Sequence, residues 1–194
     1  GYPNFGLESK SPFNVMITGV RGKLLKSDVF DDFITLAYFD EAKKPIIKVY
    51  PATTDPGITH LKTPKFPEQI ARGVAIVKEG HYPSVYALGY HGTGDWRHEA
   101  LIQVGTLWIY RDANRDEKLD LIPSSAHPCT ACGINIHMAA KKGVVKEVGD
   151  WSAGCQVIQD PRHFYEFMDI VKTSMKLYGP RVSYTLVKSS DLGL

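Results

Sequence analysis

His137 and Cys155 are the residues whose types and spacing can do chemistry. The histidine lies in the run Gly133-Ile134-Asn135-Ile136-His137-Met138, and fourteen residues separate it from Ser152-Ala153-Gly154-Cys155. A cysteine attacks a carbonyl as its thiolate, and an imidazole within reach raises the thiolate population at neutral pH. Small residues before the cysteine let a carbonyl substrate approach the backbone, and the amides around Gly154 and Cys155 are candidates to hold an oxyanion. The chain has three cysteines, of which Cys129 and Cys132 form a CxxC pair and leave Cys155 over. The competing reading of Cys155 is a small buried hydrophobe, the commoner fate of a free cysteine.

A strand must present the histidine. The two-residue period from Gly133 to Met138 puts Ile134, Ile136 and Met138 on one face and Asn135 with His137 on the other. Asn135 then orients or lines the site, and Trp151 and Ser152 shape the cleft. No carboxylate is placed by sequence to steady the imidazole, so a carbonyl of the strand after His137 takes that part. Val157 and Ile158 continue from the cysteine as a buried strand or helix entry.

Two further motifs carry possible chemistry. His127-Pro128-Cys129-Thr130-Ala131-Cys132 has no second ligand pair for structural zinc and leads into a strand where a redox CxxC opens a helix, so it reads as a local disulfide or free thiols. Asp112 to Asp120 has oxygen ligands at four positions of a calcium loop. Glu117 stands where the loop needs glycine and Pro123 where it needs the bidentate glutamate, so an acidic turn is expected, with no calcium, other metal or cofactor.

The elements around these motifs are mostly short β-like runs between turn residues. Phe13 to Ile17 opens the series. Phe33 to Phe39 and Pro45 to Tyr50 flank the polar turn Asp40 to Lys44 and predict a hairpin. Gly73 to Val77, Val85 to Leu88, Ala100 to Val104 and Thr106 to Tyr110 continue it, with Gly105 as a turn. Short helices are expected near Ser27 to Asp32 and Pro67 to Ala71, and Pro51 to Pro67 reads as the longest loop. A longer helix starts after Asp160, which caps it, with Pro161 at its first position and Phe164, Phe167, Met168, Val171 and Met175 as its buried stripe. Gly179-Pro180 ends it, and Val182 to Leu186 alternates as a closing strand.

A length of 194 residues suits one domain, 1–194, and 43% apolar with 23% charged residues is ordinary for a folded protein. The net charge of +2 comes from interspersed Lys and Arg, so nothing points to nucleic acid. No apolar run reaches the roughly 18 residues of a membrane span. The opening Gly1-Tyr2-Pro3-Asn4 carries no signal peptide, so export is expected to rely on a trimmed signal or another route.

The segment from Gly133 to Ile158 resembles the L,D-transpeptidase (YkuD-like) catalytic domain, whose signature is a strand histidine, fourteen to seventeen residues, then Ser or Thr, His, Gly, Cys. Ser152-Ala153-Gly154-Cys155 matches all but one position. Ala100 to Gln103 and Trp108 to Asp112 look like a divergent branch of the family. The resemblance implies a β-rich α+β sandwich with a C-terminal helix, and a Cys155 thioester formed with a peptidoglycan stem peptide in the periplasm or cell wall. It implies His137 as the base and Gly154, Ser152, Asn135 and Trp151 as oxyanion and cleft residues.

Two positions depart from the family: Ala153 replaces its histidine, and Val157 stands where it carries an arginine that helps hold the substrate. A valine makes no bidentate contact with a carboxylate, which brings hydrolysis forward beside transpeptidation and leaves Arg162 as a stand-in. Tyr90-His91-Gly92-Thr93-Gly94 resembles the family's His-Gly-Thr stretch but lies about sixty residues before Ser152, so His91, like His98, is assigned to the cleft wall or surface. The alternative to an enzyme is a non-catalytic cell-wall-binding domain of the same fold.

Overall fold

In chain order the strands are β1 (Met16–Arg21), β2 (Asp32–Phe39), β3 (Pro45–Thr53), β4 (Val74–Val77), β5 (Gly80–His91), β6 (His98–Gln103), β7 (Leu107–Asp112), β8 (His127–Cys129), β9 (Ile136–Met138), β10 (Gln156–Ile158) and β11 (Arg181–Lys188). The helices are α1 (Ile58–Lys62), α2 (Pro67–Arg72) and α3 (Pro161–Tyr178). The structure, a computed structural model, describes residues 10–23 and 27–193, and the reading of Gly1 to Asn4 lies outside them.

The hairpin forms as its sequence predicts. Phe39 faces Pro45 across the turn, where the Asp40 amide donates to the Lys44 carbonyl at 2.9 Å and the Lys44 amide to Asp40 Oδ1 at 2.8 Å. Alternation in β2 turns Ile34 and Leu36 inward, both fully buried, and Phe33 outward.

Eight strands close into a barrel in the order β1-β11-β5-β6-β9-β10-β3-β2, where the expected architecture is a two-layer sandwich. The three-residue strands β9 and β10 pair in parallel, join β6 on one side to β3 on the other, and remove the open edges a sandwich would keep. β4, β7 and β8 form a separate antiparallel sheet. Gly105 is the switch between the two sheets and makes no hairpin, because β6 pairs with β5 and β9 while β7 pairs with β4 and β8. A side chain there would be tight against β5: a Cβ would sit 3.0 Å from Val85 Cα.

Asp160 caps α3 by accepting from the Arg162 amide at 2.8 Å, and Pro161 fills the first turn. The stripe Phe164, Phe167, Met168, Val171 and Met175 is buried in a core shared with β1, β2, β5, β6, β9 and β11. Each large side chain contributes about 1.5–3 kcal/mol by leaving water.

Two segments differ from expectation. Ser27 to Asp32 holds a turn and the start of β2 and no helix, because the Asp28 side chain and carbonyl accept from the amides of Gly149 and Val148. The stretch from Pro51 to Pro67 begins inside β3 and contains α1.

One buried cluster anchors this stretch. Arg21 is fully buried, donates to Glu79 at 2.7 Å and to the Val77 carbonyl at 2.8 Å, and pairs with Asp55 at 2.8 Å. Asp32 accepts from the amide and hydroxyl of Thr54, both at 2.7 Å. The segment so held reaches the cysteine: the Gly57 amide donates to the Ser152 carbonyl and Gln156 Nε2 to the Thr54 carbonyl. Among the described residues no helix is long and apolar enough to cross a membrane.

Candidate active site

Cys155 lies between Gly154 and the first residue of β10, and His137 is the middle residue of the neighbouring parallel strand, in register with Val157. The turn before the cysteine is shaped from within. Ser152, fully buried, donates from Oγ to the Cys155 carbonyl at 2.8 Å and accepts the Gly154 amide at 3.2 Å. Gly154 adopts φ +116° with its α-carbon against β4, where a Cβ would meet the Ala75 carbonyl oxygen at 2.4 Å. Both residues therefore support the cleft from beneath. The expected pair of oxyanion amides is reduced to one: Gly154 N–H is engaged by Ser152, and Cys155 N–H has no protein partner among the described residues.

Cys155 as a residue is 6% exposed. It accepts the Asn135 amide at 3.4 Å and donates to the Gly133 carbonyl at 3.6 Å. Burial, opposed by the Asn135 amide, pushes its pKa up to about 11, so the resting group is a neutral thiol.

His137 Nδ1 donates to the Met138 carbonyl at 2.9 Å, the strand carbonyl expected from sequence. That bond fixes the proton on Nδ1 and leaves the Nε2 lone pair bare. Nε2 is buried and has no hydrogen-bond partner among the described residues, and no bond joins it to Cys155. Burial, with His91 and His98 adding to it, holds the imidazole well below its ordinary value, so it too rests neutral.

Two lobes of one cleft meet at Cys155, and both are bordered by Phe66, His91 and Ala153. One, of about 260 Å³, runs past Glu68, Gln69, Arg111, Cys132 and Gly133. The other, of about 250 Å³, runs past His137, Trp151, His60, Lys65 and Asp150. Trp151 is thus cleft wall as expected, with its ring 5.0 Å from that of Trp96.

The chain matches no family model, no curated protein and no solved structure. The chemistry of the site is therefore read from its own geometry.

His91, assigned by sequence spacing to the wall or surface, stacks on His137 with ring centroids 3.9 Å apart and planes 11° from parallel. Asn135, which directly precedes β9 rather than lying in it, meets His91 Nδ1 through its side-chain amide at 3.1 Å. His98 lies edge-on to both rings. The only sequence signal for His91 was the stretch Tyr90 to Gly94, and linear spacing hides that β5 passes beside β9 through β6.

Arg162 is not at the cleft: its side chain is 81% exposed and pairs with Asp160 at the start of α3. Two cations border the cleft: Lys65, paired with Asp150 in the lobe of His137, and Arg111 on β7, 11% exposed, which donates to Glu68 at 2.7 Å and to the Gly73 carbonyl at 3.0 Å. Cys129 and Cys132 are joined in a disulfide. Gln103 braces the segment that follows it, donating to the Cys129 carbonyl and accepting from the Ile134 amide.

The Asp112 to Asp120 loop uses its oxygens on itself: Asp112 accepts the Asp120 amide, Asn114 the Asp116 amide and Asp116 the Lys118 amide. Among the described residues no group of three or more His, Cys, Asp or Glu is arranged to hold a metal.

Proposed function

We propose that this chain is a cysteine acyl-transfer enzyme of the L,D-transpeptidase type, acting on peptidoglycan stem peptides through a Cys155 thioester. The observation that carries the reading is a thiol and a bare imidazole nitrogen on one cleft, with the imidazole tautomer locked by the Met138 carbonyl. The stem peptide as substrate, the finer fold assignment and a place of action in the periplasm or cell wall rest on the resemblance of Gly133 to Ile158.

In this mechanism the peptide carbonyl enters beside Sγ and His137 Nε2 takes the thiol proton as the S–C bond forms. Both groups rest neutral, so proton transfer accompanies attack and no standing ion pair precedes it. The oxyanion is held by the Cys155 amide. His137 returns the proton to the leaving amine, and water or a second amine then opens the thioester. Arg111 beside Glu68 supports recognition of a peptide carboxylate in the lobe they border, a part that Val157 cannot take.

The test is incubation of defined tetra- and pentapeptide muropeptides with the protein, read by mass spectrometry. Hydrolysed or cross-linked product is expected from the native chain and none from Cys155→Ala, while product from that variant overturns the reading. The burial of Cys155 and its raised pKa favour a second reading, a cell-wall-binding domain without catalysis. That reading expects muropeptide binding with no product from either protein.

A further inference from the structure

We propose that His91 is a catalytic residue of this site, the second oxyanion donor, with its Nε2–H as the donating group; the proposal rests on the acyl-transfer reading. A tetrahedral intermediate on Sγ puts a full negative charge on the former carbonyl oxygen, and sites for this chemistry aim preorganised N–H or O–H donors at it. Here one of the two backbone amides beside the nucleophile is already spent inside the turn, since Gly154 N–H donates to Ser152 Oγ. Only the Cys155 amide remains. A further donor must come from a side chain at the cleft.

The tautomer of His91 can be read from its neighbours. The Gln103 amide donates to Asn135 Oδ1 at 3.0 Å, which fixes that oxygen and turns Asn135 Nδ2 toward His91. Nδ2 is a donor, so His91 Nδ1 accepts, and the single proton of the neutral ring resides on Nε2. The stacked ring of His137 has the opposite arrangement, with its proton on Nδ1 held by the Met138 carbonyl and its Nε2 bare. Two parallel imidazoles thus divide the work, one able to take a proton and the other able to donate a hydrogen bond. His91 Nε2 has no protein partner among the described residues, and the residue borders both lobes together with Cys155. Burial, with His98, lowers its pKa to about 4, which keeps the ring neutral and the tautomer single at neutral pH.

The step balances without His91 gaining or losing a proton. Sγ forms its bond to carbon, the carbonyl π pair moves to oxygen, and His137 holds the thiol proton. The Cys155 amide and His91 Nε2–H hold the oxyanion until it collapses and expels the leaving group.

The experiment compares two reactions of Cys155 in the full chain. Acylation by 4-nitrophenyl acetate passes through an oxyanion, whereas alkylation by iodoacetamide is a displacement at saturated carbon and forms none. His91→Phe keeps a flat ring stacked on His137 and removes the N–H, and His91→Gln restores an N–H. Acylation is expected to fall by about 10²-fold in His91→Phe and to recover in part in His91→Gln, with alkylation changed less than about threefold in both. A parallel fall of both reactions in His91→Phe makes His91 a positioning residue for His137 and overturns the proposal while leaving acyl transfer standing. Unchanged acylation in His91→Phe overturns it as well. A native protein that alkylates but does not acylate removes the acyl-transfer reading and the proposal together.

Discussion

Two buried polar clusters lie on either side of the loop from Thr53 to Gly57, and they solve burial in opposite ways. Around Arg21 the groups are ionic: the guanidinium meets Asp55, Glu79 and the Val77 carbonyl, and Tyr110 donates to Glu79. Burial disfavours the charge on Arg21, and Asp55, Glu79 and Asp32 more than offset it, so the group stays protonated. Around Cys155 the groups are neutral, and among the described residues several leave an atom without a protein partner: Nε2 of His137, His98 and His91, and the amide of Cys155. The ionic cluster fixes the chain even though Arg21 Nε has no partner among the described residues, because displacement breaks several charge-assisted bonds. A neutral, partly unsatisfied cluster stores reactivity, because only an incoming substrate completes its hydrogen bonds.

Removing one partner from each cluster separates the two roles most strongly. Arg21→Met strands the buried Asp55 and the half-buried Glu79 and is expected to cost about 3–5 kcal/mol in urea-monitored unfolding, whereas Cys155→Ser is expected to leave stability within about 1 kcal/mol. Equal losses would erase the distinction.

The charge state of the thiol sharpens it further. With its pKa pushed up to about 11, Cys155 is expected to alkylate about tenfold faster per pH unit across the neutral to mildly alkaline range. A flat profile there would mean a standing thiolate–imidazolium pair.

The smallest effect concerns the histidines. Burial, first among the causes, holds His91, His98 and His137 below the ordinary imidazole value of 6.5. The folded chain then binds fewer protons than the unfolded one, so the stability these rings contribute is whole above about pH 6.5 and is lost as the pH falls toward the folded value of His91, about 4. Asp55 and Asp112, raised by burial to about 7 and about 6, act with the opposite sign in this window, so the histidine share is read by substitution: the unfolding temperature near about pH 7 minus that near about pH 5 is expected to be smaller in His98→Phe than in the native chain. An unchanged margin would show that these rings titrate alike in both states.

Much of the fold was legible because its signals are local. The β2–β3 hairpin follows from Asp40 to Lys44 between two β-branched runs, and α3 from Asp160, Pro161 and a stripe at helical spacing, since capping and periodicity act within a few residues. Barrel closure was not legible: it depends on β9 and β10, three residues each, finding partners on β6 and β3. The helix expected over Ser27 to Asp32 failed for the same kind of reason, because a distant segment at Val148 and Gly149 captured Asp28.

At the site, the sequence by itself offered a nucleophile candidate and a base candidate, and left the group that steadies the base as an unassigned carbonyl of the following strand. A strand's alternation and a small-residue turn are properties of consecutive residues. Only the tertiary structure decided that Gly154 N–H is consumed by Ser152, that Arg162 stays outside while Arg111 borders the cleft, and that His91 stacks on His137. Each of these is set by which strands become neighbours, and in a barrel closed through β9 and β10 that neighbourhood is a global outcome of packing and ladder hydrogen bonds.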